Sequence, residues 1–137
     1  QQWAQNLGIQ VGIENAEWKT VLARGGQQDF QILRMGWVGD YQDPNTFLEL
    51  FLSDGGQNYG KYNNPKFDEL IKKAATMKPG AERFKTLQDA EKILIDQDAG
   101  VIPFYHYVNQ NLIDTKVWGG WYPTVMGWHP PKFIFKK

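Results

Sequence analysis

The sequence predicts an α/β fold, a mixed sheet with flanking helices, and three observations carry that prediction. From Ile9 to Trp37 the pattern reads as strand, helix and strand at the spacing of a βαβ unit. Between Asn64 and Asp96 two amphipathic helical stretches meet at Pro79-Gly80. Val101 to Val108 is an apolar run of β-branched and aromatic residues, the composition of a buried strand.

The elements follow in order. Gln1 to Leu7 has helical composition and Gly8 supplies its C-terminal cap. Ile9, Val11 and Ile13 alternate with Gln10 and Gly12, giving a short half-buried strand. Asn15 offers an N-cap for a helix over Ala16–Arg24, which Gly25-Gly26 ends. Phe30 to Trp37 is the next strand, with Phe30, Ile32 and Arg34 on one face and Gln31, Leu33, Met35 and Trp37 on the other. At its end Gly36 and Gly39 bracket Trp37 and Val38, and the carboxylates Asp40 and Asp43 follow. Ligands of α/β sheets favour the carboxyl ends of strands, so this end reads as a binding rim.

Asp43 and Pro44 suit the N-cap and first position of a short helix reaching Phe51, which gives Asp43 a structural role. Ser53 to Asn64 is a polar, glycine-rich loop without periodicity, long enough to face a ligand. Asn64 caps the clearest helix, with Pro65 at its first position, Asp68 in its first turn and Phe67, Leu70, Ile71 and Ala74 as its apolar stripe. A second helix over Ala81–Asp96 presents Phe84, Leu87, Ala90 and Leu94, and the charges of this hairpin read as solvated surface. Pro103 puts the Val101–Val108 strand at an edge or a bulge. Leu112–Lys116 reads as another strand, and Lys132–Phe135 as a closing strand that pairs with something other than the preceding core.

Composition bounds the function. The 137 residues carry 15 basic and 15 acidic side chains, so charge makes no case for nucleic acid or an anionic membrane. Cysteine is absent, which removes disulfides, thiolate metal sites and a thiol nucleophile. The chain shows neither an initiating Met nor a signal peptide, as expected of a mature or partial sequence. His106 and His129 have no partner at metal-ligand spacing, Ser53 lacks a nucleophile elbow, and no glycine-rich phosphate loop opens a helix. The Asp40/Asp43 pair with nearby tryptophans suits a glycosidase, but the capping role of Asp43 leaves Asp40 alone. A carboxylate without a structural duty seeks a cation; the competing duty is pairing with Arg34 or Lys61, or capping a turn.

Gly36-Trp37-x-x-Asp40-Tyr41-x-Asp43-Pro44-x-x-Phe47-Leu48 resembles the signature of the extracytoplasmic oligopeptide-binding proteins, solute-binding family 5, that feed ABC importers. Glu17-Trp18-Lys19-Thr20 upstream, and Asn58…Tyr62, Asn64-Pro65-x-Phe67-Asp68, Ala90-Glu91-x-x-Leu94 and Ile102-Pro103-x-Tyr105-x-Tyr107-Val108 downstream, fall in the family's order. The resemblance implies a two-lobed, type II periplasmic-binding-protein-like fold of which this chain is the C-terminal portion. Residues 1–111 would be a segment of the second lobe carrying half of the peptide cleft, and residues 112–137 a crossover and tail returning to the first.

It implies that Asp40 pairs with the peptide α-ammonium, that Trp37 and Val38 lie along the peptide backbone, and that Arg34 reaches towards the C-terminal carboxylate of short peptides. Asn58 and Tyr107 would line the cleft. Members with a second arginine carry it where Gly25 stands here beside Arg24, so the resemblance leaves peptide length open. The implied partners are an oligopeptide, the membrane permease subunits and the N-terminal lobe. No cofactor, metal or enzymatic activity is implied, and the place is periplasmic or otherwise extracytoplasmic, with or without a lipid anchor. A same-family receptor for an oligosaccharide or metal chelate, a glycosidase, and a free-standing aromatic-rich carbohydrate module are the alternatives.

Overall fold

The computed structural model describes residues 1–124 and 127–137; residues 125 and 126, within the expected tail, lie outside the described residues. The chain forms two compact units, Gln1–Arg34 and Met35–Lys137. The first holds α1 (Gln2–Leu7) and α2 (Trp18–Gln27). As expected, Gly8 closes α1 in the left-handed conformation, with φ of 68°. Helix α2 corrects the prediction at both ends. Its N-cap is Glu17, whose carboxylate accepts from the N–H groups of Lys19 and Thr20, and it runs through Gly25-Gly26 to a left-handed Gln28. The Arg24 guanidinium holds that end together, donating to Glu14 at 2.7 Å and to Asp29 at 3.0 Å. Those bonds raise its already high pKa further, Glu14 contributing most.

The second unit is built on α4 (Pro65–Thr76) and α5 (Ala81–Lys92), which continues into a π-helical turn at Ile93–Gln97. Between them and the start of the unit lies α3 (Asn45–Leu48), extended by a 3₁₀ turn at Glu49–Phe51. Asn64 caps α4 by accepting from Lys66 and Phe67, with Pro65 at the first position, as the sequence predicts. The core consists of Leu48, Phe67, Ile71, Ala74, Leu87, Ala90 and Leu94, flanked by half-buried Phe51, Leu52, Tyr62, Leu70, Ile93, Ile95 and Val101. The predicted stripe of α5 needs one correction, because Phe84 lies on the outer side at 48% exposure and Thr86 takes an inner place. Tyr62 packs edge-on against Phe67 and donates to Asp98 at 2.7 Å. Burial and that carboxylate push its pKa up, while the bonds from Tyr62 and Asn64 hold the Asp98 carboxyl low.

The mixed sheet is the larger correction. Among the described residues the only ladder joins β1 (Trp118–Gly119) to β2 (Phe135–Lys136), antiparallel, with Trp118 opposite Lys136. The predicted closing strand is thus a 3₁₀ turn, Pro131–Phe133, leading into β2, and it pairs inside the tail. The predicted strands at 9–13, 30–37, 101–108 and 112–116 form no ladder. The reason is physical: a strand exists through its neighbour's N–H and C=O groups, and no described segment supplies them. The expected buried strand Val101–Val108 is accordingly open to solvent, with Phe104 64% and Val108 80% exposed.

Candidate ligand-binding rim

The rim is the turn between Gly36 and Leu48. Asp43 closes it by accepting the Asn45 N–H on its carboxylate at 2.9 Å and the Thr46 N–H on its carbonyl at 3.2 Å. The predicted cap is corrected by one residue: α3 starts at Asn45 with Pro44 as its N-cap, and Asp43 is the turn residue before it, with half of its anchoring from elsewhere. Arg83, at the start of α5, grips the same carboxylate with two bonds, Nη1 to Oδ2 at 2.6 Å and Nη2 to Oδ1 at 2.9 Å. Its Nε donates to the Ala74 carbonyl of α4 at 3.0 Å. The side chains of Arg83 and Asp43 are only 12% and 24% exposed, so the pair is shielded and bidentate. Arg83 holds the Asp43 carboxyl below the usual carboxylate range, against the opposing effect of burial. The reading of the hairpin charges as solvated surface is corrected at Arg83. Asp43 is thus committed to Arg83 and to the Asn45 N–H.

Asp40 stands differently. Its backbone N–H donates to Thr46 Oγ1 at 2.9 Å, and Thr46 is buried, 1% exposed. Gly39 packs closely beside it: a Cβ there would lie 3.0 Å from Thr46 Cγ2 and 3.3 Å from Phe47 Cζ. The backbone of Asp40 is pinned while its side chain is exposed, and its carboxylate makes no ion pair among the described residues. A buried or half-buried carboxylate is what a sequence reading of Asp40 as a cation site expects; the structure has it facing solvent. Trp37 and Val38 beside it are exposed, Val38 more fully. Tyr107 joins them from the 101–108 segment, because a Cβ on Gly36 would touch its ring at 3.5 Å; the same ring meets Tyr105 edge-on at 4.9 Å.

The other two predicted site residues are Arg34 and Asn58. Arg34 is exposed and closes the first unit. Asn58 is buried, 2% exposed, and its amide is spent on its own loop: Nδ2 donates to the carbonyls of Leu52 and Tyr62 at 3.1 and 2.7 Å, and Oδ1 accepts from Tyr62 N–H at 2.9 Å. That is a folding role which the sequence reading did not assign to it. The glycine-rich stretch is a sequence of turns stapled by Asn58, with Ser53 N–H bonded to Asp68. The shallow groove of about 280 Å³ at Leu112, Ile113, Asp114, Trp118 and Ile134 involves none of the predicted site residues.

Thr46 and Arg83 are the rim residues that sequence reasoning passed over. Thr46 had a local signal, a hydroxyl three residues beyond an Asp-Pro turn. Arg83 had none, since its partner is 40 residues away.

Residues 1–59 match the family described as "Bacterial extracellular solute-binding proteins, family 5 Middle". The periplasmic oligopeptide-binding protein OppA of Salmonella typhimurium is 40% identical over 120 residues, 88% of this chain. The chain is thus similar to the family 5 solute-binding proteins. The periplasmic murein peptide-binding protein MppA of Escherichia coli is likewise 40% identical, over 88% of the chain. A solved structure, the murein tripeptide-binding protein MppA in its unliganded open form, superposes with a TM-score of 0.79 at 38% identity, covering 91% of this chain and 24% of its own. The chain therefore has the fold of a segment of the type II periplasmic binding proteins. It spans 22% of the length of both curated relatives.

Proposed function

We propose that this chain contributes one wall of a peptide-binding cleft in an extracytoplasmic receptor that delivers oligopeptides to the permease of an ABC importer. The observation that carries the reading is Asp40, a carboxylate with a pinned backbone and no ion pair among the described residues, at an exposed rim beside Trp37. An importer's receptor must accept many sequences, so its affinity has to come from what peptides share: charged ends and main-chain N–H and C=O groups. Asp40 would take the α-ammonium, and Trp37, Val38 and Tyr107 would flank the peptide backbone. Arg34 would serve the C-terminal carboxylate of short peptides. Asn58 supports the loop rather than touching ligand.

The rest of the receptor would supply strands to the open 101–108 segment, and its first lobe the opposite side of the cleft. Closure would desolvate Asp40 and make its ion pair count. In the complete receptor Asp40→Asn is expected to weaken peptide binding by ~2–5 kcal/mol, the cost of unpairing a desolvated charge. Calorimetry with a free-amine peptide and its N-acetylated form measures this. Equal affinity of the unsubstituted receptor for both forms would remove Asp40 from the proposed role.

A further inference from the structure

We infer that Thr46 is a positioning residue for Asp40, and that the Arg83–Asp43 pair sets Thr46, so that the α4–α5 hairpin fixes the geometry of amine recognition. The inference rests on the proposed role of Asp40.

A charge-assisted bond rewards a carboxylate only if the ammonium meets it in line, which requires a fixed backbone beneath an otherwise free side chain. The rim is built in that way. The Asp40 N–H is held by Thr46 Oγ1 at 2.9 Å, while the Asp40 side chain is exposed. Thr46 is buried, and its Cγ2 packs tightly against Gly39, 3.0 Å from where a Cβ would stand. Its own N–H is held by the Asp43 carbonyl at 3.2 Å. The Asp43 carboxylate is held in turn by two bonds from Arg83, whose Nε is tied to the last turns of α4 through the Ala74 carbonyl. Every link from the helical hairpin to Asp40 is thus a hydrogen bond between named atoms, and the side chains that carry it are shielded from water. A helix cap alone would need Asp43 to bond only the Asn45 N–H. The additional commitment of Arg83 and of the Thr46 hydroxyl fastens the turn on its ligand side, at the residue before Tyr41.

The test is the amine preference of the complete receptor, read as the ratio of Kd for an N-acetylated peptide to Kd for the same peptide with a free amine. Thermal midpoints are measured alongside. Thr46→Val keeps shape and burial but removes the acceptor, and is expected to reduce the ratio about three- to tenfold, the worth of one hydrogen bond. Thr46→Ser, which restores the hydroxyl, should return most of the preference. Arg83→Lys keeps the charge but loses the fork, and should lower the ratio in the same direction by a smaller factor; it also serves if Thr46→Val does not fold.

A purely structural role would lower the midpoint and leave the ratio unchanged in both Thr46→Val and Arg83→Lys, and that result overturns the inference. Asp40→Asn separates the two readings. If it abolishes the preference while Thr46→Val leaves it intact, only the positioning role falls. If Asp40→Asn leaves the preference intact, the proposed amine site falls and the positioning role with it.

Discussion

Two stretches of the second unit carry apolar side chains and meet opposite fates. The α4–α5 hairpin buries Phe67, Ile71, Leu87 and Leu94 against its own partner helix, whereas Ile102, Phe104, Tyr107 and Val108 stand open. The difference lies in how each element satisfies its backbone. A helix closes its hydrogen bonds within itself and needs a neighbour only for its apolar stripe, which a second helix joined by a short turn provides. A strand needs a neighbour for its backbone as well, and that neighbour can come from anywhere in a fold. The hairpin is local and complete; the 101–108 segment is a strand sequence without a sheet.

The largest effect is expected in the hairpin. Phe67 is fully buried, so Phe67→Ala is expected to destabilise this chain by about 3–5 kcal/mol in urea denaturation. A loss below 1 kcal/mol would mean that the hairpin core does not hold the unit together. Arg83→Met comes next, with an expected loss of about 1.5–3 kcal/mol, the range for hydrogen bonds to charged groups.

The same pair fixes a pH dependence. The Asp43 carboxyl is held low in the folded chain, first by Arg83, so the unfolded chain takes up its proton more readily. The stabilisation is therefore fully present above the unfolded carboxylate value of roughly 3.9 and is lost as pH falls through the lowered folded value. Denaturation across this range should converge for the parent chain and Arg83→Met at the acid end; a constant gap would show that packing, not charge, sets the cost. The smallest effect belongs to the open segment. Val108→Ser should change the stability of this chain by less than about 0.5 kcal/mol, as surface substitutions do. In the complete receptor the same change should cost more if the rest of the protein covers that residue, and equal costs in both settings would count against such cover.

The helical parts were legible because their signals are local. Asn64-Pro65 at the start of α4, Gly8 after α1 and the i, i+3, i+4 stripe of α4 each state a conformation within a few residues. The end of α2 was misjudged because Gly25-Gly26 is tolerated inside the helix and Gln28 takes the left-handed position. The sheet was not legible from this chain because alternation announces the wish for a neighbour and not its presence. At the rim, Asp43 was readable as a turn residue from Asp-Pro, but its grip by Arg83 was not. Ion pairs across 40 residues leave no periodic trace. Thr46 was within reach, three residues from Asp43.

Asn58 bears on thermodynamics as much as on folding. With its amide bonded to both sides of the 53–64 loop, the turns are ordered before anything approaches. A mobile loop of that length would surrender conformational entropy whenever a solute stilled it. This loop has already given it up during folding. Any solute that touches it meets a preformed surface, and its affinity is not reduced by the freezing of that surface.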